Sequence, residues 1–359
     1  MASSPVLYCT STGHGFGHAV RIASIAAGAK KLNPEIQLIM ATVSPRWLLE
    51  SYLQAEFIYR PCAFDVGVVQ SDSFTMDKTA TLAQMQAYRA DAAAIVEHEA
   101  NFLKTNKVDL VLGDIPALAV AIAHKANLPC WLVGNFGWDF IYRSWGDEFT
   151  PLADWISEQY SQCDCLFKVA IAEPMSAFPE VESVGLTGGT PRYTEADMRS
   201  RFGFKAPKSK TMMLTFGGLG LSQIPYERLQ QFPDYQFITF DRKAPKLDNL
   251  RIVQNRQFRP VDFMPLCDRV ISKPGYSTFA EAMRLGTPLI SLTRDDFAES
   301  PYLLNGLQDH SPHHIIEPDE FLEGDWSFIQ APLNPPRTNK RLNKVGSEVI
   351  AKSIAEFLS

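Results

Sequence analysis

The sequence predicts an α/β protein with two domains, each built on a parallel β-sheet, that face each other across a cleft. Three observations predict this fold class. The chain has 359 residues, which at ~150 residues per domain is enough for two domains. Short apolar segments alternate with longer segments whose apolar residues recur at helical spacing, as in β-α-β units. The same alternation starts again in the second half, after a segment rich in proline, glycine and serine.

The first half of the chain alternates predicted strands with predicted helices. We predict strands over 6–9, 36–42, 108–112 and 130–133. We predict helices over 18–31, 45–53, 82–106 and 117–126. The strands are short and apolar, which is typical of parallel strands covered by helices on both faces of the sheet. This order therefore predicts a Rossmann-like first domain.

The second half repeats the same order of elements. We predict strands over 211–216, 235–240, 250–253, 269–272 and 288–292, and a helix over 278–285. The predicted organisation is an N-terminal Rossmann-like domain at 1–185, a linker at 186–209, a C-terminal Rossmann-like domain at 210–335, and a terminal segment at 336–359. Within that last segment, 339–358 has one apolar face at helical spacing. We expect this helix to pack back on the first domain.

The amino-acid composition limits the kinds of partner that the protein is expected to bind. Thirty-four Lys and Arg against 40 Asp and Glu give a net charge of −6, which argues against a dedicated nucleic-acid binder. No uncharged apolar run reaches the ~20 residues of a membrane helix, and no signal peptide precedes the first strand. The six cysteines lack the paired spacing of a zinc site and are expected to be reduced thiols. We expect a cytoplasmic protein, without stable membrane insertion, that acts on small molecules.

A glycine-rich loop, GHGFGH at 13–18, lies between the first strand and the first helix. A dinucleotide-binding loop is disfavoured, because His18 stands where the third glycine belongs and no acidic residue ends the second strand. Two interpretations remain. The glycines either let an acceptor molecule approach His14 and His18, or they form a structural turn with two incidental histidines.

Asp114 follows the strand predicted at 108–112. Because parallel strands end at the same edge of a sheet, Asp114 is expected near His18. A carboxylate bound to one imidazole nitrogen orients the ring and raises its basicity at the other, so the pair is a candidate base for a hydroxyl group. Alternatively, Asp114 caps the helix that begins near Pro116.

Three loops of the second half contain residues suited to a nucleotide sugar. Gly217 and Gly218 follow the strand at 211–216, as a plausible phosphate-binding turn. The segment 272–282 reads as a strand, a glycine turn and a helix start, which suits a diphosphate, although an N-cap with a surface glutamate fits equally. The run at 294–299 is either a set of ligands for sugar hydroxyls or a solvated charge run.

An aromatic cluster lies at 135–142, after the strand at 130–133, and Trp145 and Trp155 follow it. These rings either stack on an acceptor or fill the core. Asp139 and Arg143 are the polar candidates for contact with an acceptor. Histidines at 310, 313 and 314 lack a supporting ligand set, and no Asp-x-Asp sequence follows a strand, so no metal site is predicted.

The stretch SKPGYSTFAEAMRLGTPLI (272–290), with the glycine loop before it and RDDFAE (294–299) after it, resembles the donor half of the GT-B glycosyltransferases. The resemblance implies that Glu281 binds the ribose of a nucleotide. It implies the following further donor-binding residues: Gly217, Gly218, Lys273, Gly275, Ser277 and Thr278 for the diphosphate, and Asp295, Asp296 and Glu299 for the donor sugar. It also implies His18 as the base, rather than His14, and Asp114 as its partner. The residues expected to contact the acceptor are His14, Phe16, Trp138, Asp139 and Arg143.

A closer resemblance covers most of the chain. The segments 13–21, 63–77, 134–142 and 273–278 resemble the glycosyltransferase-like N-terminal region of plant-type L-arabinokinases. No sugar-kinase phosphate motif is present, so the resemblance does not extend to kinase activity. The chain departs from small-molecule glucosyltransferases at Lys273-Pro274, where these commonly have His-Cys.

The function expected from residues and resemblance together is transfer of a hexose from a nucleoside-diphosphate sugar, with a UDP-sugar favoured, to a hydroxyl acceptor. The mechanism is expected to invert the anomeric carbon, with His18 as base and with neither metal nor cofactor. Two alternatives stay open. One is a nucleotide-sugar 2-epimerase on the same fold, and the other is a non-catalytic module that binds a nucleotide sugar.

Overall fold

The computed structural model describes residues 4–71, 75–218, 220–221 and 223–359, so Leu219 of the predicted phosphate loop and part of the 63–77 segment lie outside the described residues. The chain forms two compact units. Among the described residues, the first comprises 4–71, 76–188 and 343–359, and the second comprises Thr75 and 189–342. Each unit contains one parallel sheet.

The sheet of the first unit has seven strands in the described part of the chain. They are β1 Val6–Ser11, β2 Gln37–Ala41, β3 Ile58–Arg60, β4 Leu110–Asp114, β5 Cys130–Gly134, β6 Cys165–Lys168 and β7 Val181–Ser183. Their order is β3-β2-β1-β4-β5-β6-β7, and every neighbouring pair is parallel. The strand order therefore changes direction between β1 and β4, which pair directly, with Ser11 opposite Asp114.

Helices cover this sheet. They are α1 Gly17–Leu32, α2 Arg46–Leu53, α3 Lys78–Thr105, α4 Leu118–Ala126, α5 Trp138–Arg143 and α6 Thr150–Tyr160. All six residues of β1 are buried, as a central strand between two helical layers requires. The sequence prediction located β1, β2, β4 and β5 and missed the short strands β3, β6 and β7, which have three or four residues each. It also missed α5 and α6, where aromatic residues obscure the helical period.

The second unit repeats the architecture with six strands among its described residues. They are β8 Thr211–Leu214, β9 Gln236–Thr239, β10 Leu250–Ile252, β11 Arg269–Ser272, β12 Leu289–Leu292 and β13 His313–Ile316, in the order β10-β9-β8-β11-β12-β13. Its helices are α7 Glu195–Phe202, α8 Pro260–Phe263, α9 Tyr276–Leu285, α10 Ser300–His310 and α11 Pro318–Leu322. A core cluster packs Trp326, Phe328 and Phe321 against the sheet. Here the order changes direction between β8 and β11.

The predicted linker at 186–209 is largely part of the second unit. The boundary between the units falls between Gly188 and Gly189, and 195–202 is helix α7. A capping box begins this helix: Thr194 accepts a hydrogen bond from the Asp197 backbone N–H, and Asp197 accepts one from the Thr194 backbone N–H. The prediction was wrong because glycine and proline around the segment outweighed this local helix signal.

The last helix, α12 Gly346–Phe357, packs on α1 of the first unit. Ile350 and Ile354 are fully buried, and Gly28 of α1 has Ala351 so close that a Cβ at position 28 would lie 2.8 Å from it. Asn33 donates a hydrogen bond to the Leu358 carbonyl at 3.3 Å. The helix is shorter than the predicted 339–358, because residues up to 342 belong to the second unit. None of the helices in the described residues is long and apolar enough to cross a membrane.

Candidate functional site

Each sheet has one place, called a switch point, where its strand order changes direction. In open α/β sheets, ligands bind at such a point, beyond the carboxyl ends of the strands. In the first unit this is the edge where β1 and β4 end, and in the second it is the edge where β8 and β11 end. The candidate residues of the sequence analysis lie mainly at these two edges. We name them the first and the second switch point.

At the first switch point, His18 and Asp114 are in direct contact. His18 Nδ1 lies 2.8 Å from Asp114 Oδ1, across 96 residues of sequence. Asp114 is fully buried, and His18 is 8% exposed. The alternative role of Asp114 as a helix cap is wrong, because α4 begins at Leu118 after an Ala117 N-cap without a side-chain cap. The strand end and the helix start therefore form the pair that the sequence predicted.

Arg21 completes this pair, and the sequence analysis missed it. Arg21 lies one helical turn after His18 on α1 and is 2% exposed. Its Nε donates to Asp114 Oδ2 at 2.6 Å, and its Nη2 donates to Oδ1 at 2.8 Å. Its Nη1 donates to Asn135 Oδ1, directly after β5, at 3.1 Å. The signal available in the sequence was the i, i+3 spacing of histidine and arginine at the start of a helix.

The charges of this network compensate one another. Burial raises the pKa of Asp114, but the Arg21 guanidinium and the His18 ring outweigh that effect and hold the pKa below its ordinary value. Asp114 is therefore a carboxylate that accepts the Nδ1–H of His18. That hydrogen bond leaves the Nε2 lone pair of a neutral His18 available to accept a proton. No hydrogen bond within the described part of the chain engages Nε2.

Backbone geometry on both sides of the pair shapes the site. Gly15 has φ +71°, which favours glycine in the tight turn between β1 and α1. After Asp114, Ile115 has φ +57°, a rare conformation for a β-branched residue. The Tyr160 hydroxyl donates to the Ile115 carbonyl at 2.6 Å and holds the turn. Strain of this kind clusters at functional sites.

A second carboxylate, Asp65, lies near the histidines and was also missed. It accepts hydrogen bonds from the Thr12 hydroxyl at 2.9 Å and from the Trp138 indole N–H at 3.0 Å. Burial raises its pKa to about 6, although these two donors and His18 oppose the rise. Asp65 is half-buried in the segment between β3 and α3. Asp65 belongs to the 63–77 segment, which carries part of the resemblance to L-arabinokinases. Its position in the sequence did not distinguish it from any other carboxylate in a loop.

Most side chains of the aromatic cluster at 135–142 lie in the core. Trp138 is 1% exposed and stacks on Tyr142, with ring centroids 5.7 Å apart. It is too buried to offer a free face to an acceptor, so the stacking interpretation is wrong for Trp138. His14 contacts its edge, with ring centroids 5.3 Å apart, and Phe16 contacts Trp47 at 5.7 Å. His14 and Phe16 are partly exposed in the glycine loop, and their contact with an acceptor stays a prediction.

Two further residues that the sequence analysis predicted to contact an acceptor lie on α5. Asp139 is half-buried, burial raises its pKa, and its Oδ1 has no hydrogen-bond partner. Arg143 is exposed and forms a surface ion pair with Asp154 of α6 at 2.9 Å. Among the described residues, no hydrogen bond or ion pair joins Arg143 to the His18 network.

At the second switch point, Lys273 extends between two glycine turns. A Cβ on Gly217, which has φ +77°, would lie 3.9 Å from Lys273 Cε, and a Cβ on Gly275 would lie 4.0 Å from Nζ. Gly217 follows β8, whereas Lys273 and Gly275 follow β11. Gly217 and Gly218 are exposed, so the backbone of this turn is accessible to a ligand.

Lys273 has an unusual electrostatic environment. Burial and the neighbouring Arg294 guanidinium lower its pKa to about 7, while Glu299 opposes the shift. Arg294 follows β12, is 5% exposed, and its guanidinium lies 4.4 Å above the Phe297 ring. Lys273 and Arg294 therefore follow adjacent strands of the sheet, and the charge of Arg294 acts on Lys273.

The N-terminus of α9 lies in the same loop. The helix begins at Tyr276 after a Gly275 N-cap that has no side-chain cap, so Ser277 and Thr278 lie in its first turn, rather than at its start as predicted. Both are half-buried. Unpaired backbone N–H groups at such a helix end bind anions.

Glu281 is buried, with 3% of its surface exposed, so the alternative of a surface glutamate is wrong. Its Oε1 accepts the backbone N–H of Gly189 at 2.9 Å, and no donor in the described part of the chain reaches Oε2. Burial raises the pKa of Glu281 to about 7, against the effects of Gly189 and of nearby arginines. The oxygen Oε2 remains for a ligand hydroxyl.

The acidic run after β12 divides into two parts. Asp295 and Asp296 are exposed, whereas Glu299 is 7% exposed. His313 and His314 lie on β13, and His313 is buried. The described residues contain no group of three or more His, Cys, Asp or Glu side chains placed to bind a metal ion.

Similar structures define the class of fold. Over almost the whole chain the protein matches spinosyn forosaminyltransferase SpnP (TM-score 0.59, 14% identity, 99% of this chain and 95% of that one) and the glycotransferase of kitacinnamycin (TM-score 0.58, 11% identity, 99% and 95%). It also matches a UGT transferase from Siraitia grosvenorii in complex with UDP (TM-score 0.57, 11% identity, 98% and 94%). The two parallel-sheet units therefore have the GT-B fold of glycosyltransferases.

In sequence, the chain is similar to an L-arabinokinase of Arabidopsis thaliana, with 27% identity over 338 residues. The match covers 88% of this chain but only 31% of the relative, so the chain spans about a third of that protein. No protein-family model matches the chain.

Proposed function

We propose that this protein is a glycosyltransferase that moves a hexose from a nucleoside-diphosphate sugar to a hydroxyl acceptor. The observation that supports this most directly is the His18–Asp114 pair at the first switch point. A histidine with Nδ1 bound to a buried carboxylate suits the abstraction of a proton from a hydroxyl group. The GT-B fold agrees with this chemistry.

In the proposed reaction, His18 Nε2 takes the hydroxyl proton of the acceptor. The resulting oxygen nucleophile attacks the anomeric carbon of the sugar, and the bond to the diphosphate breaks with inversion of configuration. Asp114 stabilises the imidazolium ion that forms, and Arg21 holds Asp114 in place. Proton transfer of this kind contributes roughly 10²–10⁴ to a rate.

The second switch point is proposed to bind the donor. The negative charge that develops on the diphosphate faces the α9 N-terminus and Lys273, which stabilise it without reorganisation. No metal ion is required in this proposal. Oε2 of Glu281 accepts a ribose hydroxyl, and the exposed Asp295 and Asp296 are the proposed ligands of the sugar. A UDP-sugar is favoured, because similar structures were solved with UDP.

Thermal unfolding in the presence of UDP, GDP, ADP or dTDP tests the donor assignment. A nucleotide at ~100 times its dissociation constant adds about 2.7 kcal/mol, which raises the melting temperature by a few degrees. The stabilising nucleotide then selects the UDP-hexose or other donor for an acceptor screen with product analysis. Transfer to an acceptor supports the proposal, whereas an epimerised nucleotide sugar formed without acceptor contradicts it. If no nucleotide stabilises the protein, the donor assignment is wrong.

A further inference from the structure

The segment between β3 and α3 joins the glycine loop to α5 through Asp65. Asp65 Oδ1 accepts a hydrogen bond from the Thr12 hydroxyl at 2.9 Å, and Oδ2 accepts one from the Trp138 indole N–H at 3.0 Å. The Gly13 backbone N–H is a third donor to the same carboxylate. Thr12 is fully buried and Trp138 is 1% exposed, so both anchors are fixed by the core. Asp65 therefore holds the start of the glycine loop against α5.

Gly67, two residues further along, contacts His14 and α5. It has φ +66°, and a Cβ at this position would lie 3.0 Å from His14 Cβ and 3.5 Å from Trp138 Cζ2. The Tyr142 hydroxyl donates to the Gly67 carbonyl at 2.6 Å and fixes this backbone to α5. A side chain at position 67 would therefore require both a strained backbone conformation and a small displacement of His14.

His14 is in this way held by three neighbours. Its backbone N–H donates to Thr12 Oγ1 at 3.4 Å, and this is the same hydroxyl that donates to Asp65. Its ring meets Trp138 edge-on, with ring centroids 5.3 Å apart. Gly67 lies close to its Cβ. The ring stays partly exposed, so these contacts fix the orientation of an accessible imidazole.

The charge of Asp65 is kept at a cost to stability. Burial raises the pKa of Asp65 from 3.8 to about 6, although three hydrogen bonds and the charge of His18 oppose the rise. Above pH 6, the ionised carboxylate therefore makes the native state less stable than a neutral group with the same hydrogen bonds would. Stability alone does not account for a carboxylate here, whereas ionisable groups with shifted pKa values are common at functional sites.

We propose that Asp65 and Gly67 are positioning residues, which together fix the imidazole of His14 in the orientation in which it binds the hydroxyl acceptor. They act through Thr12 and Trp138 and do not touch the acceptor themselves. A fixed imidazole binds a hydroxyl compound at a lower entropic cost than a mobile one. That this compound is the acceptor of a sugar rests on the proposed function, whereas the control of the His14 orientation does not.

The first test changes Gly67, which has no side chain and no charge. Gly67→Ala should displace His14 and weaken the binding of 4-nitrophenol about 10-fold, which corresponds to the loss of roughly one hydrogen bond. This phenol is a hydroxyl probe whose ring suits the partly exposed rings of the glycine loop. Its dissociation constant is measured from the NMR signals of the His14 ring, which are assigned by their loss in His14→Gln.

The matched control is Gly203→Ala in the second unit. Gly203 has φ +67°, and a Cβ there would meet nothing within 4 Å. This variant therefore has the same backbone strain as Gly67→Ala but displaces no neighbour. It should bind 4-nitrophenol as the wild type does, with unchanged His14 signals.

Asp65→Asn separates positioning from a merely structural role. The amide replaces one acceptor oxygen by an N–H donor, so it changes the anchoring of the loop, and it also removes the buried charge. The His14 signals should shift and 4-nitrophenol should bind about 10-fold more weakly, while the melting temperature at pH 8 should stay the same or rise. A merely structural Asp65 would instead lower the melting temperature and leave the affinity for the probe unchanged.

The outcomes distinguish this inference from the proposed function. Weaker probe binding in Gly67→Ala and Asp65→Asn, but not in Gly203→Ala, supports the positioning role. Unchanged His14 signals or unchanged affinity in both variants overturn it, as does a wild type in which the probe does not perturb His14. A wild type that binds the probe at His14 but forms no glucoside from UDP-glucose speaks against the proposed function and leaves the positioning role intact.

Discussion

The two switch points of this molecule differ in how their charges are balanced. At the first, both oxygens of Asp114 accept hydrogen bonds from Arg21, and one of them also contacts His18, all within 2.8 Å. At the second, no hydrogen bond from Lys273 Nζ is found among the described residues, Arg294 repels its charge and Glu299 attracts it. The buried carboxylate of the first region is paired by hydrogen bonds, whereas Lys273 in the second region has no hydrogen-bonded anion among the described residues.

This difference indicates two kinds of site on one repeated architecture. A buried charge is costly unless it is paired, so a paired network is rigid and holds each proton at a definite atom. Such a network suits proton transfer. An unpaired cation raises the free energy of the native state until an anion binds, which suits a binding site. Substitutions at the first region should therefore destabilise or inactivate the protein, and those at the second should stabilise the unbound form.

The largest effect is expected for His18→Ala. Loss of the base should lower the turnover number for transfer by about 10²–10⁴-fold and leave the donor affinity unchanged, since the donor is proposed to bind at the second switch point. Release of the nucleoside diphosphate measures turnover, and calorimetry measures donor binding. A variant with full turnover would show that His18 is not the base.

The pairing of Arg21 with Asp114 is tested by replacing one partner. Arg21→Met leaves a buried carboxylate with only His18, and it should lower the free energy of unfolding by about 3–5 kcal/mol. The double variant Arg21→Met/Asp114→Asn removes both charges and should lose less than the sum of the single variants. Urea denaturation measures all three proteins. Additive losses would mean that the two charges do not stabilise each other.

Glu281→Gln should instead raise the free energy of unfolding. The folded protein raises the pKa of Glu281 from 4.5 to about 7, so the native state gains stability as the pH falls from 7 to 4.5 and lacks this gain at pH 8. Glutamine is neutral throughout and still accepts the Gly189 N–H. The variant should be more stable than the wild type by up to about 3 kcal/mol at pH 8 and equally stable at pH 4. A gain that did not change with pH would contradict the assignment.

Lys273→Met should also stabilise the unbound protein, with the reverse pH dependence. Because the pKa of Lys273 is lowered from 10.5 to about 7, the wild type loses stability as the pH falls from 10.5 to 7, and the variant does not. The melting temperature of the variant should exceed that of the wild type by roughly 2–4 °C at pH 6.5 and approach it at pH 10. Lys246→Met, at an exposed lysine of the same unit, provides the control.

The smallest effect is expected at Arg143, which was predicted to contact the acceptor. Its ion pair with Asp154 is exposed, with 48% and 57% of the two side chains accessible, so Arg143→Met should change stability by less than about 0.5 kcal/mol. If the predicted role is right, the KM for the acceptor rises while stability stays the same. An unchanged KM would restrict the first region to the His18 network and its neighbours.

Several strands, two glycine-containing loops and one residue pair of the two regions could be located from the sequence. Periodicity predicted β1, β4, β8 and β11, and the loops after these strands were singled out as candidate sites, whereas the strand order came from the structure. The glycine loop at 13–18 and the 272–282 segment were recognised because glycine and a helix start follow a strand in both. The pair of His18 with Asp114 was also a correct prediction, since residues that follow neighbouring parallel strands must meet at one edge.

Other features depended on contacts that no local pattern encodes. Arg21 and Asp65 become members of the first region only because a helix start, a strand end and a distant loop converge on them. Burial of Trp138 and Glu281 depends on what packs over them, and from the sequence Trp138 could either stack on an acceptor or fill the core, and Glu281 could either bind a ribose or lie at the surface.

By itself, the sequence determined the two α/β units and the loops that contain the candidate chemistry, because strand and helix periods and glycine turns are local properties. Only the tertiary structure decided the charge balance of the two switch points. Electrostatic compensation depends on distances of about 3 Å between residues up to 96 positions apart, and on burial that removes water from between them. The pairing of His18, Asp114 and Arg21 in the first unit, and the opposing effects of Arg294 and Glu299 on Lys273 in the second, could not be predicted from the sequence for that reason.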